Sequence, residues 1–122
     1  MEMTQRQKEK LSHLKSLVAL ACADSKIDPS EHEIIRIVME REDLTQDDYN
    51  RCLHDPESIE LTPPLLDDTK QLYLTDMIIL MMADSDYDDT EIELCRQAAE
   101  MLDLPIEKMY TVVENVLKTL KH

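Results

Sequence analysis

Seven carboxylates in two short stretches are the residues of this chain best suited to chemistry: Asp84, Asp86, Asp88 and Glu91 in one, Asp24, Asp28 and Glu31 in the other. Closely spaced carboxylate oxygens are the donors that hard cations such as Ca²⁺ and Mg²⁺ prefer. Asp84-x-Asp86-x-Asp88 is spaced like the first half of an EF-hand loop. Asp89, however, stands where that loop requires glycine, and Cys95 where it requires a bidentate glutamate. A cation held here is therefore held weakly. Lys26 occupies the place of Asp86 in the first stretch and puts an ammonium where the second stretch offers another carboxylate. If one turn binds, it is the second.

The competing reading is structural. Asp28 with Glu31, and Asp88 with Glu91, have the spacing of helix capping boxes, worth about 0.5–2 kcal/mol per cap. Asp24 and Asp84 differ, because they fall at the carboxy-terminal ends of long helical runs. There the helix dipole opposes a negative charge by about 0.3–1 kcal/mol. A bound cation offsets that cost; so does a nearby lysine or a hydrogen bond from the next helix's amides.

Both stretches belong to one recurring pattern. Ala23-Asp24-Ser25-Lys26-Ile27-Asp28-Pro29-Ser30-Glu31 returns sixty positions later as Ala83-Asp84-Ser85-Asp86-Tyr87-Asp88-Asp89-Thr90-Glu91. The register continues without a gap through Leu20 and Leu80, Arg36 and Arg96, Glu40 and Glu100, and Asp43-Leu44 and Asp103-Leu104. Two tandem helical repeats are the reading, about 5–53 and 65–120, joined by a proline-bearing connection over about 54–64. Thr4-Gln5-Arg6-Gln7 caps a first helix over about 5–23, and Asp28-Pro29-Ser30-Glu31 starts a second with Ile34, Ile35, Val38 and Met39 inward. Thr45-Gln46-Asp47-Asp48 caps a short third ending near Leu53. A fourth, over about 65–83, contains the run Met77–Met82, apolar all round and so expected at the centre of the core, with its methionines as filling. A fifth follows Asp88, and a sixth opens at Pro105.

Ala-Asp, a short acidic turn and then Asp-x-x-Glu opening a second helix resembles the tellurite-resistance TerB-like family, over nearly the whole chain. Ser25 and Ser85 stand where that family's pattern has glycine. The resemblance implies a compact all-α domain of six to seven helices with an acidic cluster for divalent cations and no catalytic activity. It also implies a setting of metal or tellurite stress, with membrane-associated partners in some members.

Composition points the same way on fold class. The chain has no glycine, phenylalanine or tryptophan, and 122 residues suit one domain spanning 1–122. A net charge of −14 disfavours nucleic acid, whose phosphates it would repel, and favours cations or a basic protein segment. Arg6, Lys8, Lys10 and Lys15 form a basic stretch within the first helix, suited to a partner or a homodimer. No nucleophile elbow, phosphate loop or His-Glu-x-x-His is present, and Glu31-His32-Glu33 lacks a second histidine, so the expectation is a non-enzyme. His13, His32 and His54 read as surface or interface residues. Cys22, Cys52 and Cys95 form neither a disulfide framework nor a zinc clamp, which suits reduced thiols and a cytoplasmic setting; Cys22 and Cys95 fall on apolar stripes. The chain opens on polar residues and holds no apolar run long enough to insert into a membrane. Two functions remain: a TerB-like module that binds a divalent cation or another protein, and a purely structural acidic adaptor with no ion.

Overall fold

The computed structural model describes residues 3–22, 27–82 and 89–120, which form six α-helices and one 3₁₀ turn with no strand among them. The helices are α1 (Gln5–Ala21), α2 (Pro29–Glu42), α3 (Gln46–His54), α4 (Asp67–Met81), α5 (Asp89–Met101) and α6 (Ile106–Leu120), with the 3₁₀ turn at Pro56–Ser58 between α3 and α4. The chain falls into two compact units, Met1–Pro63 and Pro64–His122.

In the first unit α1 packs against α2 and α3. Its caps are those the sequence requires. The Gln7 N–H donates to Thr4 Oγ1 at 3.1 Å while Gln7 Oε1 accepts from the Thr4 N–H at 2.9 Å. Thr45 and Asp48 make the same reciprocal pair at 3.1 and 2.9 Å. Each satisfies donors that a helix start leaves open. Leu14, Leu17, Ile35, Val38, Tyr49 and Cys52 are buried. So are Glu9, Ser12, His13 and Glu42, which corrects the surface reading of His13. The helix stops at Ala21, two residues short of the expected end, and its cap Cys22 is exposed, so the thiol does not continue the apolar stripe.

In the second unit α4, α5 and α6 all pack against one another. Tyr73, Leu74, Met77, Ile78, Leu80 and Met81 of α4 are buried, while Ile79 and Met82 of the apolar run are only half-buried, so that run is not enclosed on every side. From α5 and α6, Cys95, Ala98, Ala99, Met109, Val112 and Val116 join them in the interior. Helix α4 begins at Asp67 and not at Leu65, because Leu66 takes the extended cap conformation (φ −89°, ψ 134°).

Helices α2 and α5 end alike. Asp43 and Asp103 adopt the left-handed conformation at φ 58° and 59°, and the Leu44 and Leu104 N–H groups each reach back to a helix carbonyl, of Met39 and Ala99, at 2.8 Å. In a chain without glycine, aspartate is among the few residues that tolerate this geometry.

Candidate cation site at the acidic turns

Of the seven candidate ligands, Asp28 and Glu31 are described in full. Asp24, Asp84, Asp86 and Asp88 lie outside the described residues, and Glu91 is described only as helical backbone within α5. Asp28 is the N-cap of α2, in extended conformation at φ −65° and ψ 147°, with Pro29 at the first helical position. Proline arrives there with its φ already set and no N–H to lose. Glu31 Oε1 accepts from the Asp28 N–H at 3.1 Å, the reach-back bond of a capping box. The Asp28 carbonyl accepts the first intrahelical bond, from the His32 N–H at 2.9 Å. Glu31 is thus already engaged in starting a helix.

The helices preceding the two turns end alike among the described residues. Neither α1 nor α4 has a basic residue in its last turn, and their caps, Cys22 and Met82, are equivalent in position and both helical in backbone. Unsatisfied carbonyls at such an end carry partial negative charge, which attracts a cation. Among the described residues no group of three or more His, Cys, Asp or Glu is arranged to hold a metal ion.

Around the first turn, Tyr49 Oη lies 3.3 Å from His32 Nε2, and the two rings meet at a tilt of 57° with 5.6 Å between centroids, fastening the start of α2 to α3. Burial pushes the Tyr49 hydroxyl's pKa above its ordinary value, with Cys22 and Cys52 adding to the effect.

Ion pairs organise what the periodicity of the sequence left unassigned. Arg36 binds Glu33 at 2.5 Å and Glu40 at 3.2 Å along α2, and Arg96 binds Glu93 and Glu100 along α5 in the same register. The hydrogen bond from each arginine holds Glu33 and Glu93 below the usual carboxylate range. The basic stretch of α1 is partly consumed inside its own unit. Arg6 binds Glu9 at 3.4 Å and Glu42 at 3.2 Å, and Lys15 Nζ donates to the Ile59 carbonyl at 2.7 Å. Acids alternating with bases along α1 and α2 hint at such pairs; that Glu9 and Glu42 are buried is visible only in the fold.

Comparison with protein-family models, with curated proteins and with solved structures finds no match to this chain.

Proposed function

We propose that the chain is a non-enzymatic, TerB-like module of two tandem helical repeats that works by binding: a divalent cation, Ca²⁺ or Mg²⁺, at the turn from Asp84 to Glu91, and a protein partner through its charged surface. The observation that carries the reading is the pair of helix ends bracketing that turn. Helix α4 stops at Met81 with no basic residue in its last turn, and α5 starts at Asp89, so Asp84, Asp86 and Asp88 fall in the short link between a negative and a positive helix end. Repulsion among those carboxylates is relieved by a cation, and the carbonyl end of α4 adds further oxygen donors.

Duplication is supported by constant spacing. Helices α1 and α4 end sixty positions apart, α2 and α5 begin sixty apart, and α3 and α6 begin sixty apart. Asp43 and Asp103, and the clamps on Arg36 and Arg96, keep the same spacing. Under this reading the second turn is the functional copy, since in the first Lys26 replaces Asp86 and Glu31 is engaged in a cap.

The adaptor reading, with every turn carboxylate a cap and no ion bound, is favoured by one observation, the 3.1 Å bond from the Asp28 N–H to Glu31. Titration of Ca²⁺, Mg²⁺ and Mn²⁺ against melting temperature at constant ionic strength separates the two. A bound cation stabilises by about 2.7 kcal/mol at a hundredfold excess over Kd. The expected result is a saturating rise that Asp84→Asn removes and Asp24→Asn reduces less. Identical responses of the parent chain and Asp84→Asn leave the adaptor in place. A link to tellurite or metal stress, a basic or membrane-associated partner and a homodimer remain parts of the proposal that follow from the resemblance and the charge.

A further inference from the structure

The second unit carries a groove of about 620 Å³ between α4 and α6, lined by Asp68, Leu72, Thr75 and Ile79 from α4 and by Val112 and Val116 from α6, among others. Its apolar floor and polar rim suit a ligand. What it takes is indicated by the first unit. Sixty positions earlier, Asp68, Leu72 and Thr75 correspond to Lys8, Ser12 and Lys15 of α1, and there the chain's own strap crosses the helix. After α3 ends at His54, the Pro56–Ser58 turn leads into an extended segment. Ile59 is 3% exposed, the Ile59 carbonyl accepts from Lys15 Nζ at 2.7 Å, and the Thr62 N–H donates to Ser12 Oγ at 2.8 Å. Glu60 and Lys8 line one small cavity of about 140 Å³ beside it. In the second unit α6 runs on as helix to Leu120 where α3 gave way to the strap, and the matching face of α4 borders the groove.

We infer that the α4–α6 groove docks an extended segment of a partner protein, with an aliphatic anchor in the place of Ile59 and a basic residue in the place of Glu60. The charge of the occupant follows from the substitution of Lys8 by Asp68, which reverses the sign opposite that residue. Asp67 pairs with Lys108 at 3.9 Å, whereas no ion pair is recorded for Asp68 among the described residues. Complementary charge across a rim selects the partner and excludes like-charged ones. The exposed or strap segments of a second copy of this chain lack that basic residue. Its exposed Leu65 and Leu66, at 73% and 70%, are followed directly by Asp67 and Asp68, and its own strap carries Glu60. Thr75, whose hydroxyl donates to the Gln71 carbonyl at 2.7 Å, keeps its oxygen free to accept a backbone N–H from the segment.

The inference uses the correspondence between the units and is independent of the cation. The test is fluorescence anisotropy of the full chain with labelled synthetic peptides spanning Pro56–Thr62: unchanged, with Glu60→Lys, and with Glu60→Lys plus Ile59→Ala. The Glu60→Lys peptide should saturate and bind roughly twofold to fivefold tighter than the unchanged one, the size of one exposed ion pair made or broken. Removing the anchor should abolish binding, and Asp68→Lys in the chain should invert the preference. Asn115→Trp at the groove wall should block every peptide while the helical circular dichroism stays intact. Binding should be the same with chelator or in Asp84→Asn, so loss of the cation reading leaves this result standing. No saturation at millimolar peptide, or an unaltered preference in Asp68→Lys, overturns the inference. Concentration-dependent dimerisation that Asn115→Trp abolishes also overturns it, and assigns the groove to a second copy.

Discussion

The two units repeat three helix boundaries at a spacing of sixty yet fill one corner in opposite ways. In the first, the start of α1 and the end of α2 are joined through Arg6, which is half exposed and binds both Glu9 and Glu42, two carboxylates that are 6% and 5% exposed; Gln5 also donates to Glu9, and Arg41 also pairs with Glu42. In the second, the corresponding positions hold Leu66, Thr69 and Leu102. Leu102 is buried and carries no charge to satisfy. A backbone of this kind thus accepts either an ionic cluster or an apolar side chain at one corner, provided that buried charge is paired. The partners differ in what they demand. An apolar residue needs only volume, whereas Glu42 needs cationic partners within reach, here Arg6 and Arg41.

The same contrast holds between the strap and the groove. Ile59 is supplied to α1 by the chain itself, while α4 presents Asp68 and Leu72 with α6 alongside. One unit is finished by its own connection, and the other keeps a ligand-sized opening.

The comparison is broken most forcefully at its shared centre. Leu14 and Leu74 occupy corresponding positions and are each 0% exposed. Leu14→Ala and Leu74→Ala should each cost about 2–5 kcal/mol, the range for a buried leucine whose site collapses only in part. Chemical denaturation measures the loss, and amide exchange locates it in the unit that carries the change. A large difference between the two would mean that matching helix ends conceal unlike packing.

A smaller effect is expected at the divergent corner. Glu42→Leu alone takes a carboxylate from Arg6 and Arg41 while Arg6 keeps Glu9, and should destabilise by about 1–3 kcal/mol, less than a fully buried pair because Arg6 is half exposed. Adding Arg6→Leu and Glu9→Thr, which copies the second unit, should restore most of that loss in a denaturant melt. Failure of the triple change to recover stability would show that the ionic cluster has a role the apolar corner cannot take over.

The smallest effect concerns thiols. Cys52 corresponds to Val112, and both are buried. Burial first, and then the carboxylate of Asp48, push the Cys52 thiol up to about 11 from an ordinary value of 9.0. Between these values the unfolded chain loses its proton while the folded chain keeps it, so stability falls as pH rises from about 9 to about 11. Cys52→Val, copying the second unit, should flatten that slope in melts across this window. In native labelling at neutral pH, the exposed Cys22 should react quickly, and the buried Cys52 and Cys95 slowly. Rapid labelling of Cys52 would place it outside the interior.

Three helix starts were legible because caps are local. Thr4 with Gln7, Asp28 with Glu31 and Thr45 with Asp48 each involve residues three positions apart, and nothing distant is needed to form them. Helix ends were less legible. Cys22 continues an apolar period, but α1 ends at Ala21 with Cys22 as its cap, and the thiol is exposed. For the candidate cation turn, the carboxylates and their spacing were readable, as were the flanking helices. The buried polar residues were not: Glu42 sits in sequence between exposed Arg41 and Asp43, and His13 lies among buried neighbours, Ser12 and Leu14, that its own polarity does not announce.

The sequence by itself determined the all-helical fold of the described residues, its principal helix starts, its acidic stretches and the spacing of sixty between them, since propensity, capping and periodicity act over one or two turns of chain. Only the tertiary structure decided that Glu42 is paired with Arg6 thirty-six positions away, that Lys15 holds Ile59 forty-four away, and that Ser12 receives Thr62 fifty away. Those pairings depend on which helix faces close on one another, and no local preference encodes the choice: Arg6 could equally have faced solvent until α2 brought Glu42 beside it.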